Sequence, residues 1–162
     1  MNSLGHARKA GREDLTENQP EGTSQSGTPI SIVIADDSEV YREMLTMVIE
    51  AFPGLEVLGS VGDGCQALEM VAARRPQLVL LDLQLRGLNG LQSMALIREY
   101  HPATRVIIIT GDDSDDVRAT CLAQGANGFI SKRRLYQELP RGIAQVFPDS
   151  ATGSLAKGQW AE

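Results

Sequence analysis

The sequence predicts an α/β fold, a doubly wound sheet of five parallel strands with five helices covering its two faces. Three observations predict it. Short β-branched runs alternate with longer stretches of helical period through the middle of the chain, the pattern that successive βα units produce. The runs are too short for helices and lack a polar-out alternation, so each is expected to be buried on both faces, as in a parallel sheet. Hydrophobic residues make up 42% of the chain but aromatics only 4%, so the core must be built from Val, Ile, Leu and Ala rather than rings.

Taken in order, the first strand is Ile30 to Ala35. It gives way to helical spacing over Glu39 to Ala51, where Val40, Met44, Leu45, Val48 and Ile49 are assigned to one apolar face. The second strand, Leu55 to Val61, is followed by a helix over Gln66 to Arg75. The third, Leu78 to Leu81, is short and wholly apolar, and a helix over Leu91 to Tyr100 returns the chain. Val106 to Ile109 and Gly128 to Ile130 complete the sheet, with helices over Asp115 to Gln124 and Leu135 to Phe147. Pro140 interrupts the last of these, which must therefore begin late or kink. Residues 29–147 form one domain on this reading. The flanking segments, 1–28 and 148–162, hold too few large apolar residues to offset their ordering entropy, so a disordered tail and a flexible tail are expected.

Charge and composition exclude several classes of function. The net charge of −6 comes with no stripe of Lys and Arg, so nucleic-acid binding by this chain alone is not expected. Cys65 and Cys121 match no metal-ligand spacing and read as reduced small hydrophobes, and His6 and His101 are isolated. With no signal-peptide h-region and no apolar stretch long enough to span a bilayer, a cytoplasmic protein is expected.

In a doubly wound sheet ligands bind at the carboxyl ends of the strands, near the point where strand order reverses. The residues just past those ends are therefore the candidate site. The first strand is followed by Asp36 and Asp37, the third by Asp82, the fourth by Thr110, and the fifth by Ser131 and Lys132. Singly, each has a bland explanation: the paired aspartates a solvated turn capping a helix from Ser38, Thr110 a strand-end residue, Lys132 a surface lysine. Their convergence on one edge is the stronger observation. Three carboxylates brought together raise one another's pKa unless a cation neutralises them, and an all-oxygen set without His or thiolate suits a hard ion such as Mg²⁺. Asp82, at the end of "LVLLD", is placed to act as a nucleophile toward phosphorus. Thr110 and Lys132 offer a hydroxyl and an ammonium to the transferring group, and Gly111 leaves room for backbone N–H donors.

Four ordered motifs, "ADDSEVYREML", "LVLLDLQLRGLNG", "VIIITG" and "GANGFISK", together resemble the receiver domain of two-component response regulators over about residues 30–147. The resemblance implies a flavodoxin-like sheet of order 2-1-3-4-5 and a phosphoacceptor role for Asp82, fed by a histidine kinase or phosphotransfer protein. It implies Mg²⁺ bound by Asp37, Asp82 and the backbone carbonyl of Gln84, with Asp36 acting mainly through water. Thr110 and Lys132 would hold the phosphoryl oxygens. Phe129, three residues before Lys132, would be the switch aromatic that turns inward when Thr110 moves. Such a chain is not a turnover enzyme, although it assists its own phosphoryl transfer and dephosphorylation.

The chain departs from the family pattern at Arg86, where proline is usual, which bears on loop rigidity and kinase choice. Gln84 and Asp112 occupy positions that tune acyl-phosphate lifetime in the family. The acidic run Asp112, Asp113, Asp115 and Asp116 reads as helix-start capping and dipole complementarity rather than a second metal site.

The favoured function is a stand-alone receiver whose phosphorylation changes an interaction surface around the fourth and fifth helices, for a downstream protein or a phosphorylation-dependent homodimer. An alternative is the regulatory half of a DNA-binding transcription factor whose effector domain is absent from this chain. A small-molecule phosphatase lacks support, because no second acid stands two residues after Asp82 and there is no nucleotide-binding Gly-rich Lys-Ser/Thr loop. A receiver-like module that no longer takes phosphate is disfavoured by the complete set of site residues.

Overall fold

The computed structural model describes residues 27–150. Of the two expected tails, all but 27–28 and 148–150 lie outside the described residues. Five parallel strands, β1 (Ile30–Ala35), β2 (Leu55–Val61), β3 (Leu78–Leu81), β4 (Arg105–Thr110) and β5 (Gly128–Ser131), lie side by side in the order β2-β1-β3-β4-β5. The helices are α1 (Glu39–Glu50), α2 (Gly64–Arg74), α3 (Gly90–Tyr100), α4 (Asp115–Ala123) and α5 (Leu135–Val146), with a 3₁₀ turn at Lys132–Arg134 between β5 and α5. Among the described residues no helix is long and apolar enough to cross a membrane.

The two faces of the sheet build two cores, because side chains of a strand alternate in direction. Ile32 and Ile34 point with Leu80, Ile107 and Ile130 toward Leu45 and Ile49 of α1 and Leu139 and Ile143 of α5. Val33 and Ala35 point with Val79, Leu81 and Ile108 toward Val71 of α2, Met94 and Ile97 of α3 and Cys121 of α4. Each fully buried aliphatic side chain stabilises the fold by roughly 1.5–3 kcal/mol. Truncating one at the centre, as in Leu45→Ala, is expected to cost about 2–5 kcal/mol.

Local signals set the helix starts. Ser38 caps α1 by accepting the Tyr41 N–H at 3.2 Å, and Asp63 caps α2 by accepting the Gln66 N–H at 2.7 Å. At α3, Asn89 and Gln92 bond reciprocally at 2.9 and 3.1 Å, a capping box.

Three expectations are corrected. The run Leu55–Val61 is not buried on both faces: β2 lies at the edge of the sheet, and its Glu56 and Ser60 are exposed. Val40 is not on the buried face of α1: it is 77% exposed, and the packed stripe is Tyr41, Met44, Leu45, Val48 and Ile49. That stripe follows the i, i+3, i+4, i+7, i+8 spacing from residue 41, while Val40 shares the outer face with Met47, 73% exposed. Pro140 does not delay α5, which starts at Leu135 and runs through the proline. The N–H that proline lacks would have met the carbonyl of Tyr136, so the helix forgoes that one bond and continues. Cys121 is buried and Cys65 exposed, and both are free thiols.

Candidate functional site

Strand order reverses between β1 and β3, and the carboxyl ends of these two strands carry the acidic residues. Parallel-ladder hydrogen bonding runs one residue past each strand end: the Asp36 N–H donates to the Val61 carbonyl at 3.1 Å, and the Asp82 N–H to the Ala35 carbonyl at 2.9 Å. Both carboxylates are therefore held by the sheet itself and are buried, whereas Asp37 is exposed. One carboxylate oxygen from each of the three lies within 4.8 Å of the others.

Lys132 enters this cluster from the 3₁₀ turn after β5. Its Nζ donates to Asp82 Oδ2 at 2.8 Å and lies 2.5 Å from Asp36 Oδ2. The second contact is an ion pair without hydrogen-bond alignment, so Asp36 Oδ2 is buried with no hydrogen-bond partner. The remaining oxygens are used locally: Asp36 Oδ1 accepts the Ser38 N–H at 2.9 Å, and Asp82 Oδ1 accepts the Gln84 N–H at 3.2 Å. Asp36 thus organises the turn into α1 and faces the acidic crevice at once. Arg42 fixes the same turn from the far side, donating to the Asp36 carbonyl at 2.7 Å.

The electrostatics follow from burial and from the imbalance of three acids against one ammonium. Burial raises the pKa of Asp82, opposed by the bond and charge of Lys132 and reinforced by the charge of Asp36. Burial would lower that of Lys132, but its contacts with Asp36 and Asp82 prevail and raise it. The Tyr41 phenol is pushed above its ordinary value by burial, then by the charges of Asp36 and Asp82 and by Tyr136, and stays neutral. Three carboxylates that offer only oxygen donors, with a single ammonium among them, suit a hard divalent cation such as Mg²⁺.

Thr110 ends β4 beside Ser131 of β5 on the same edge, buried, with its Oγ1 accepting the Asp112 N–H at 3.3 Å. It belongs to the edge but makes no hydrogen bond to the acidic cluster. Phe129 is buried in the core toward α4, and the Arg118 guanidinium lies 4.6 Å from its ring centroid. Of the acidic run, Asp115 and Asp116 stand in the first turn of α4 as expected. Asp112 accepts the Ser114 N–H at 3.2 Å, a bond that organises the turn. Asp113 does something else: it accepts the Ser131 hydroxyl at 2.7 Å and faces Arg133 and Arg134. The Ser131 hydroxyl first, and the two guanidiniums after it, hold its carboxyl below the ordinary range.

The loop carrying Arg86 is tied down without proline. Arg86 pairs with Asp63 in an isolated parallel bridge, its carbonyl accepting the Gly64 N–H at 3.0 Å, and the Gly90 N–H donates to the Leu83 carbonyl at 3.0 Å. A Cβ at Gly64 would sit 2.0 Å from the Leu88 carbonyl oxygen and one at Gly90 2.3 Å from that of Asp82, so both positions require glycine. Sequence reasoning missed Tyr41, whose ring covers the Lys132 ammonium at 4.3 Å. It also missed Arg118 and Glu138. Tyr41 was legible in the helical spacing once its register was set from Ser38.

The fold and the crevice define a class: an α/β signalling-type domain with an acid triad and a lysine at the switch point of a 2-1-3-4-5 sheet. The chain belongs to the response regulator receiver domain family, whose model matches residues 32–143. It is 32% identical over 133 residues to a protein of Mycobacterium tuberculosis named as the transcriptional regulatory protein NarL, covering 78% of this chain and 62% of that one. A protein-glutamate methylesterase/protein-glutamine glutaminase of Pyrococcus abyssi is 37% identical over 66% of this chain and 29% of its own length. Among solved structures, the response regulator domain of Thermotoga maritima CheB superposes with a TM-score of 0.68 at 27% identity, covering 74% of this chain and 97% of that one. The signal receiver domain of NarL from Mycobacterium tuberculosis does so with a TM-score of 0.63 at 29% identity, covering 81% and 93%. The chain spans less than two thirds of the length of the curated relatives it matches.

Proposed function

We propose that Asp82 accepts a phosphoryl group from the phosphohistidine of a histidine kinase or phosphotransfer protein, with Mg²⁺ held by Asp36, Asp37, Asp82 and the backbone carbonyl of Gln84. The observation that carries this reading is the Lys132 ammonium, 2.8 Å from Asp82 Oδ2 where three carboxylate oxygens crowd within 4.8 Å. Mg²⁺ bound there supplies charge neutralisation for the carboxylates and for the transferring phosphoryl oxygens.

The chain's own residues supply the rest. A carboxylate oxygen of Asp82 forms the O–P bond as the P–N bond breaks, and the imidazole nitrogen keeps the electron pair. Lys132 transfers its ammonium contact from the carboxylate to a phosphoryl oxygen. The Thr110 hydroxyl, which accepts the Asp112 N–H, keeps its own proton free to donate to a second oxygen. Drawing Thr110 toward the phosphoryl group biases the Phe129 region between two packings, which alters the surface around α4 and α5. A downstream protein or a second copy of the chain reads that surface. Hydrolysis of the acyl phosphate resets it.

The NarL match supports a second output for the same site, control of transcription by a longer protein. The test of the shared step is intact mass after incubation with a small phosphodonor. A Mg²⁺-dependent gain of one phosphoryl group is expected in the wild type and none in Asp82→Asn. Equal labelling of the two would refute Asp82 as acceptor.

A further inference from the structure

One contact in the crevice is used by none of the steps above. The Tyr41 ring lies over the Lys132 ammonium, with Nζ 4.3 Å from the ring centroid. The backbone of Tyr41 is pinned there by the bond from its N–H to Ser38 Oγ at 3.2 Å, and the next residue, Arg42, is anchored to the Asp36 carbonyl at 2.7 Å. Its hydroxyl is buried and has no hydrogen-bond partner, so the polar end of the side chain does not explain the placement. What the position uses is the face of the ring, whose negative quadrupole attracts a cation.

The consequence concerns competition. The ammonium of Lys132 holds Asp36 Oδ2 at 2.5 Å and Asp82 Oδ2 at 2.8 Å, on two of the three carboxylates a divalent cation would draw on. Anything that holds the ammonium in that seat opposes entry of the cation. We infer that Tyr41 is a positioning residue whose ring retains the Lys132 ammonium among the acids, making Lys132 a built-in competitor of the divalent cation and setting the concentration at which the site loads. The inference rests on the reading of the acidic crevice as a cation site.

Two measurements on the full chain test it, with Tyr41→Phe keeping the ring and Tyr41→Leu removing it. The first is the affinity for Mg²⁺ alone by isothermal titration calorimetry, without phosphodonor. Tyr41→Leu is expected to bind about two- to ten-fold tighter than the wild type, the range a cation–π contact of this kind spans, and Tyr41→Phe to match the wild type. Equal affinity in all three proteins, weaker binding in Tyr41→Leu, or a shift in Tyr41→Phe as large as in Tyr41→Leu overturns the inference.

The second measurement starts from the cation-free protein and decides the matter if Tyr41→Leu does not fold. The chain has only three lysines, Lys9, Lys132 and Lys157, so their ε-methylene protons are readily assigned by NMR. In the cation-free wild type and in Tyr41→Phe, those of Lys132 are expected upfield of the other two through the ring current, and to move downfield on adding Mg²⁺. Coincident shifts for all three lysines overturn the inference. A wild type that binds no Mg²⁺ in the first measurement refutes the cation-site reading instead, which separates the two failures.

Discussion

Two clusters of charge flank the junction of β5 and α5, and they are built on opposite principles. Around Lys132, one ammonium faces the buried carboxylates of Asp36 and Asp82, with Asp37 beside them, and one carboxylate oxygen is left without a hydrogen bond. Around Asp113 and Glu138, two carboxylates meet the guanidiniums of Arg118, Arg133 and Arg134 at 3.2–4.0 Å. The same two carboxylates accept both hydrogen-bond donors of Ser131, its N–H at 2.8 Å and its hydroxyl at 2.7 Å. The first cluster is acid-rich and buried; the second is partly exposed and supplied with cations. Asp82 and Asp113 are the same residue type with opposite pKa displacements, and the fold imposes the difference. A group of like charges left short of counter-ions is costly to stability and ready for a ligand. A balanced one holds secondary-structure elements together.

The largest effect is expected on removing the Lys132 cation from the buried cluster. Lys132→Met, which keeps much of the apolar stem, is expected to destabilise the cation-free protein by about 3 kcal/mol, since it leaves buried carboxylates uncompensated. Urea denaturation measures this, and adding Mg²⁺ should recover more stability in the variant than in the wild type. An unchanged midpoint without Mg²⁺ would mean that the two clusters do not differ as described.

Removing a carboxylate from the balanced cluster should cost less. Glu138→Ala leaves the N–H of fully buried Ser131 without its acceptor, for about 1–2 kcal/mol. Glu138→Gln, which keeps an acceptor oxygen, should recover most of that loss. If Gln is as damaging as Ala, the ion pairs rather than the hydrogen bond carry the effect. Those pairs involve half-exposed or exposed arginines, where each contributes about 1 kcal/mol or less.

Acid sharpens the contrast further. The folded pKa of Asp113 is depressed, so its stabilisation is present above the ordinary carboxylate value of 3.8 and is lost as pH falls through the lower folded value. Asp113→Asn should therefore melt below the wild type at neutral pH, with the gap closing in acid. For Asp82 the folded pKa is raised, so ionisation costs stability progressively as pH rises from 3.8 through the folded value. In the absence of Mg²⁺, Asp82→Asn should accordingly melt above the wild type at neutral pH, and that gap too should close in acid. Melting curves collected from neutral pH down to below the carboxylate range test both signs at once, and gaps of the same sign would defeat the contrast.

The smallest effect is expected at Arg118, which joins the balanced cluster to the Phe129 ring at 4.6 Å. Arg118→Ala should cost about 0.5–1 kcal/mol, the cation–π contribution near a surface, read from the same denaturation curves. A larger loss would show that the arginine stem seals the core around Phe129 as well.

Much of this molecule was legible in its sequence, and the limits of legibility have particular causes. The strands are found within one residue of their expected bounds because each is a largely apolar run too short for a helix. The apolar face of α1 was misassigned at Val40 because one residue of register turns a helix by about 100°. The bond from Ser38 to the Tyr41 N–H is what decides it. The carboxylates and Lys132 could be collected because a parallel sheet sends every strand end to the same edge. The partners of Asp113 could not: Ser131, Arg133 and Arg134 lie 18 or more residues away, and an acidic run before a helix looks the same whether it caps the helix or crosses to β5.

By itself, then, the sequence determined the strand–helix alternation, the burial of the inner strands and the residue types that stand at the carboxyl edge, since these follow from hydrophobic period and from the topology that period implies. Only the tertiary structure decided which of the acids would be short of a counter-ion and which would be satisfied. It alone placed an aromatic ring against the lysine and tied the Arg86 loop to the start of α2 without proline. Periodicity is a local property that each segment carries in its own residues. Charge balance and desolvation depend on distances between segments far apart in the chain, and those exist only once the sheet has closed.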